Sequence, residues 1–381
     1  MLLVFTTDKF KIMNISVRNF PILIGCNGKI VLILLLFFED YLINTGERKA
    51  PNTWKTYGYS MYDFFTYLEY KGLKWDETPL PGHQSVIAGY RNSALMEIGN
   101  KAKTVDQRIT LIVIFYRWAY RNGLISKLSS EISTIIDEET QNKSDHRHHG
   151  GHGRSAMQNL LSNAPDEPIA VLSLNSIALI IDLMKRGLIN NTHTLMFCLG
   201  LECGLRSEEI ITFPEKYIID TSHIPKHQKR INVKLDPKDM RTKGSKSRIV
   251  PIPVTLMNKM WQYSRGARNA FVEHNNEYAP KSLFVTRDGN TFSKSALYKA
   301  CINIGSKVGA HSNPHILRHS FATYWLLAAP PQLRQTALLK LTAVLGHNSI
   351  STTEIYLHLL DQISNETMST YQSLVSQLFE E

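Results

Sequence analysis

Cysteine, long apolar runs and acidic residues are all in short supply in this sequence. The four cysteines among 381 residues are Cys26, Cys198, Cys203 and Cys301. They form no CxxC pair and no metal-ligand spacing, which argues against a disulfide framework or a structural zinc site. Cys198 and Cys203 lie inside the apolar run TLMFCLGLECGL and read as small buried hydrophobes. A reduced, cytoplasmic protein is expected. The longest apolar run covers residues 30–38, only nine positions, whereas a bilayer span needs about 20. It lies too far inside the chain, without a small-residue cleavage pattern, to read as a signal peptide. No membrane partner is expected. A Gly-rich phosphate loop and an HExxH motif are also missing. No carboxylate cluster to hold Mg²⁺ stands out, and no cofactor or metal is expected.

Acidic residues are outnumbered, 33 against 43 Lys plus Arg, for a formal net charge of +10. A basic excess favours a polyanionic partner, because each neutralised phosphate releases condensed counterions. It is also common in proteins that bind no nucleic acid, so charge alone assigns nothing.

The chain is long enough for two or three domains. Residues 1–28 show no clear period and read as an extension, an arm or an oligomer contact. Residues 29–128 read as helical, with apolar positions at steps of three and four in IVLILLLFFEDYLI and YSMYDFFTYLEYKG. The second of these ends on Gly72, and a third helix, TVDQRITLIVIFYRWAYRNG, ends on Gly123. Lys101, Lys103, Arg108, Arg117 and Arg121 accompany that helix. Basic residues interleaved with aromatics suit a helix packed by one face and laid along DNA phosphates by the other, though a solvated surface has the same composition. Residues 129–168 include QNKSDHRHHGGHGRSAMQNLLSNAPDEP, a polar His/Gly-rich linker. His146, His148, His149 and His152 have no Cys or acidic partner at fixed spacing, and flanking glycines leave their geometry loose. From residue 169 onward, helical patterns surround two strand-like runs, RINVKLD and SRIVPIP, with SLFVT as a further short strand. A mainly α fold with a small antiparallel β-sheet in this second domain is expected.

Three separated pieces carry the chemistry: CGLRSEEI with Arg206, RTKGSKSRIVPIP with Lys243, and the set HILRHSFAT, LGHNS and STTEIYLH. Arginines, a lysine and histidines suit a site that holds a phosphate and the extra charge of its transition state. His315 and Arg318 are three apart on one predicted helix and share a face. His319, one step round from Arg318, reads as a packing residue or as a support for the residues that touch the phosphate. His347 follows Gly346, a natural helix stop. Ser351 opens an S-T-T-E capping-box pattern, which places Tyr356 on a short helix about two turns on.

These motifs resemble the tyrosine recombinases of the phage integrase type. GLRxxE, TKGxKxRxVPIP, HxLRHxFAT, LGHxS and TTxxIY follow one another in that family's order. The resemblance implies a helical core-binding domain over 29–128, a catalytic domain over 169–381, and a two-domain C-shaped clamp on double-stranded DNA. It implies that Arg206 and Arg318 bind the scissile phosphate, and that Tyr356 attacks phosphorus to form a 3′-phosphotyrosine. His315 would act as hydrogen-bond partner or base to the phenol, and Lys243 would protonate the departing 5′ oxygen. His347 would bond the phosphate or the surroundings of the nucleophile, with Glu209 orienting Arg206 or its neighbours. Lys246 and Arg248 would contact the DNA backbone. A homo-tetramer on DNA is implied, with the apolar positions of the C-terminal tail (Met368, Tyr371, Leu374, Val375, Leu378) docking on a neighbour or within the chain. A type IB topoisomerase shares this chemistry, and a catalytically silent DNA-binding regulator would share the fold.

Overall fold

The structure, a computed structural model, describes residues 1–12, 15–44, 51–77, 85–126, 133, 161, 169–273, 279–347 and 349–357. Two compact units divide the chain, Met1–Asp166 and Glu167–Glu381. The histidines at 146–152 and the apolar tail positions beyond 357 lie outside the described residues. Among the described residues, no helix is long and apolar enough to cross a membrane.

The first unit opens with strand β1 (Leu2–Phe5), the short pair β2 (Lys11–Ile12) and β3 (Ile15–Ser16), and β4 (Pro21–Ile24). β1 and β4 are antiparallel, with Leu2 opposite Ile24 and Phe5 opposite Pro21. Among the described residues, the helices that follow are α1 (Leu32–Glu39), α2 (Pro51–Lys71), α3 (Val86–Asn92) and α4 (Ala102–Arg121). Residues 1–28 are therefore not an appendage to this unit. Val17, Phe20 and Leu23 are buried in the same core as Phe37, Trp54, Phe64 and Phe115. Phe20 meets Trp54 edge-on at 5.9 Å, and Phe37 meets Phe115 at 5.3 Å, the geometry that aromatic quadrupoles favour. Four-residue strands separated by a turn show too few alternations for a period of two to stand out.

The second unit runs α5 (Leu174–Lys185), α6 (Asn191–Cys203), α7 (Ser207–Ile211), β5 (Arg230–Leu235), β6 (Arg248–Pro253), α8 (Val254–Tyr263) and α9 (Asn269–Glu273). It continues with α10 (Lys294–Ser306), α11 (Pro314–Leu327), α12 (Arg334–Leu345) and α13 (Ser351–Glu354). The fold is mainly α with small antiparallel sheets. β5 and β6 pair from Arg230 opposite Pro253 to Leu235 opposite Arg248. β5 alternates exposed and buried positions, as a sheet with one covered face requires. The SLFVT run does not form a strand. Its backbone makes only isolated bridges, Pro214 with Ser282 and Val285 with Thr291, because Leu283 N–H donates to Phe213 O and Thr286 N–H to Asn290 O.

At the centre of this unit, α6 packs against α11. Leu195 through Cys203 are all buried, Glu202 among them, so this stretch is covered on every side, as a core helix is. α11 starts cleanly because Asn313 caps it: its side chain accepts from the N–H groups of His315 and Ile316, and Pro314 occupies the first turn. Farther along, Ser320 Oγ accepts from Leu172 N–H, and Tyr324 O–H donates to Leu172 O. One flank of α11 is thus pinned to the start of the unit, leaving His315, Arg318 and His319 for the other.

Candidate active site

Two helix ends build the site. α6 stops at Gly204 and α12 at Gly346, both left-handed with φ of 64° and 65°. Only glycine fits either position without strain. A Cβ on Gly204 would also lie 2.4 Å from the Phe321 ring, and one on Gly346 2.8 Å from Arg248 Cδ. The last carbonyls of a helix lack intrahelical donors and carry the negative end of its dipole, and here guanidinium groups satisfy them. Arg318 donates to Gly204 O at 2.5 Å and to Leu345 O at 2.7 Å. Arg248 Nε donates to Val344 O at 2.7 Å, and Arg206 reaches Gly346 O at 3.4 Å.

Arg206 is the N-cap of α7, two residues beyond Gly204, and its backbone N–H donates to Glu209 at 2.8 Å. Glu209 is fully buried and also accepts from Arg206 Nη1 at 3.3 Å and from both Arg248 amines at 2.6 and 2.7 Å. Burial alone would push this carboxyl up. The hydrogen bonds and charge of Arg248, and then Arg206, overrule burial and hold it below the usual carboxylate range. Arg318 is 4 % exposed. Burial, then the repulsion of Arg206, pulls its guanidinium down from its ordinary value, while Glu209 works in the opposite sense.

Lys243 sits on an exposed 3₁₀ turn, Lys243–Ser245, between β5 and β6. Its charge is felt at both His315 and His347. His347 is held at both ring nitrogens: Arg318 Nη2 lies 3.1 Å from Nε2, and Thr353 Oγ1 lies 2.9 Å from Nδ1. A guanidinium can only donate, so Nε2 is the acceptor and the ring proton belongs on Nδ1. Desolvation, then Arg318 and Arg206, drives His347 down to about 4. Desolvation followed by the same two arginines and Lys243 lowers His315. Both are neutral at physiological pH.

Tyr356 is 2 % exposed, and its O–H lies 2.8 Å from His319 Nδ1. Burial raises the phenol, while the charges of Arg318 and Arg206 pull it back. The STTE segment departs from the sequence expectation. α13 covers only Ser351–Glu354, its N-cap is Ile350, and no side chain caps it. Tyr356 lies just beyond this single turn, its N–H bonded to Thr353 O at 3.1 Å. Thr353 is fully buried and faces His347 and Thr342.

Arg206, Lys243, His315, Arg318, His347, Glu209 and Tyr356 therefore act on one another in one place. Arg248 departs from the expected DNA-backbone contact. Its side chain is 7 % exposed, and all three of its nitrogens are engaged by Glu209 and Val344. Lys246, two residues earlier, is exposed. In the first unit, Lys101, Lys103 and Arg121 are exposed along α4 and Arg117 is half-buried. Arg108 is drawn inward by Asp63, 2.7 Å away, which also accepts from Tyr90 O–H at 2.6 Å. The sequence reading missed Thr353 and His319. For His319 a signal existed, since residues 315 and 319 are one helical turn apart and therefore neighbours. For Thr353 there was none, because its hydroxyl reads equally well as part of a cap. Among the described residues, no group of three His, Cys, Asp or Glu is placed to hold a metal ion.

Known proteins resemble this chain in sequence and in fold. The profile of the phage integrase family matches residues 170–362, half of the chain. The tyrosine recombinase XerD of Ralstonia nicotianae is 26% identical over 328 residues, 85% of this chain and 86% of the relative. XerC of Haemophilus influenzae is 38% identical over 121 residues, 31% of this chain and 36% of that protein. Among solved structures, the Tn1549 transposon integrase in complex with a circular intermediate DNA covers 91% of this chain and 99% of its own, at a TM-score of 0.55 and 14% identity. A lambda integrase dimer bound to a COC' core site covers 84% of this chain and 93% of its own, with a TM-score of 0.53 and 13% identity. With the sequence motifs gathered around one buried tyrosine and the family profile spanning the unit that holds them, this chain belongs to the phage integrase family.

Proposed function

We propose that this protein is a site-specific DNA recombinase that cuts and rejoins strands through a covalent 3′-phosphotyrosine on Tyr356, in the integration, excision or transposition of a mobile element. The observation that carries the proposal is the charge imbalance around Tyr356. Among the described residues, Arg206, Arg248, Arg318 and Lys243 gather around the site with one carboxylate, Glu209, and His315 and His347 are lowered toward neutrality. Such a surplus of cations is held together by helix-end carbonyls and relieved by an incoming phosphate. Arg206 and Arg318 then bind the non-bridging oxygens, since a guanidinium donates two parallel hydrogen bonds to such a group. Tyr356 attacks phosphorus, and Lys243 on its exposed turn protonates the departing 5′ oxygen. His347, with Nε2 free of a proton, keeps Arg318 in position.

Lys101, Lys103, Arg117, Arg121 and Lys246 serve as the phosphate-tracking surface of a clamp around duplex DNA, with residues 129–168 joining its halves. The assembly on DNA is a homo-tetramer in which tail residues dock on a neighbouring subunit, and the protein works in the cytoplasm on the nucleoid. Tyr356 and Arg318, at 2 and 4 % exposure, are closed to solvent in this state, so engagement of DNA must open the pocket. A nicked suicide substrate tests the chemistry. The wild type should accumulate a covalent protein–DNA adduct and Tyr356→Phe should form none; an adduct that persists in that variant refutes the assignment.

A further inference from the structure

We propose that His319, rather than His315, accepts the phenolic proton of Tyr356 when the strand is cut, an inference that rests on the function proposed above. His319 Nδ1 is 2.8 Å from Tyr356 Oη, with ring centroids 5.6 Å apart. Among the described residues, the His315 ring makes no hydrogen bond, and its contact is the His319 ring, 4.0 Å away between centroids. Distance decides between two histidines on one helix, because proton transfer needs the base within about 3.2 Å of the donor oxygen, and the proposal requires that this contact is kept when DNA opens the pocket.

The protonation state agrees. His319 faces His315 and Arg318 on its own helix, His347 after α12, and Tyr356 beyond α13. Desolvation, then the first three of these, drives the imidazole down to about 4. At neutral pH Nδ1 therefore carries a lone pair, which receives the hydrogen bond from the phenol. The imidazolium formed by transfer would be unfavourable beside Arg318 alone. A bound phosphate supplies the compensating anion, so the base becomes competent only when substrate is present.

The balance of the step is complete. The Tyr356 Oη–P bond forms as the bond from phosphorus to the 5′ oxygen breaks. The phenolic proton passes to His319 Nδ1, and the 5′ oxygen takes a proton from the Lys243 ammonium. In rejoining, each proton returns: the incoming 5′-hydroxyl gives one to Lys243, and Tyr356 regains one from His319.

His319→Asn separates this role from ring packing, since its amide oxygen stands close to the position of Nδ1 and accepts the phenol's hydrogen bond without taking the proton. Rates of adduct formation on the suicide substrate would be followed from pH 6 to 9 in the full chain, with thermal unfolding as the check on folding. The expected result is an approximately 10²-fold slower rate at pH 7, climbing steadily with pH where the wild type is flat. Replacing Tyr356 by a fluorinated, more acidic tyrosine should restore most of the loss. A variant that matches the wild type at every pH overturns the proposal, as does one that is uniformly slow with no pH slope and no recovery with the fluorinated residue. If the wild type itself forms no adduct, or Tyr356→Phe still does, the proposed function has failed and this inference with it.

Discussion

Each unit holds a carboxylate–arginine cluster, and the two differ in one respect that separates a structural site from a binding site. In the first, Asp63 faces one cation, Arg108, and the O–H of the buried Tyr90. Charge balances, and the cluster ties α2, α3 and α4 together. In the second, Glu209 faces Arg206 and Arg248 while Arg318 stands close by on helix-end carbonyls and the His347 ring, with no carboxylate partner among the described residues. Charge does not balance there, and the excess is what an anionic ligand neutralises. A cluster of the same residue types therefore stabilises or binds according to whether its charges cancel.

The largest effect should come from the unbalanced cation. Arg318→Ala removes the donor between the two helix ends and should slow adduct formation by at least about 10³-fold. A loss below tenfold in single-turnover cleavage would place the phosphate elsewhere. Removing the acid tests the same comparison through stability. Glu209→Ala strands the buried Arg248 and should lower unfolding free energy by about 3–5 kcal/mol. Asp63→Ala, which leaves the partly exposed Arg108 and the Tyr90 hydroxyl without their acceptor, should lower it by about 1–3 kcal/mol. Denaturant titrations of the two variants compare them directly, and cleavage per folded molecule should survive only in the Asp63 variant. Equal stability losses would mean that the charge surplus carries no special burden.

The smallest effect concerns Glu202, a buried glutamate in α6 beside Cys198 and near Arg230. Burial pushes its carboxyl up to about 8, with Arg230 pulling the other way. A carboxyl raised in the folded state stays protonated after the unfolded one has ionised. Its contribution is therefore complete below the unfolded value of 4.5 and is lost as pH rises toward about 8. Glu202→Gln should melt roughly 5 °C above the wild type at pH 8.5 and close to it at pH 4.5. Parallel melting curves across that range would show that Glu202 is ionised in the fold.

Much of the site could be read in the sequence because its chemistry is carried by residue types at fixed helical spacing. His315 and Arg318 are three apart, and Gly204 and Gly346 mark helix ends just before Arg206 and His347. The helices ending at Gly72 and Gly123 and the hairpin around Lys243 were legible for the same local reasons. The β1–β4 pairing was not, since it depends on partners 16 to 22 residues apart and on alternations too short to stand out. Nor was the inward turn of Arg248, which Glu209 and Val344 impose from 39 and 96 positions away.

By itself, then, the sequence determined the membership of the charged set around Tyr356 and the helix stops that present it. Tertiary packing alone decided the orientation within that set: Arg248 faces the protein, Thr353 holds His347, and His319 meets the phenol. The physical reason is the range of each signal. Caps, turns and helical faces are decided within four residues, whereas desolvation and hydrogen-bond partners are supplied by whichever segment the fold brings alongside.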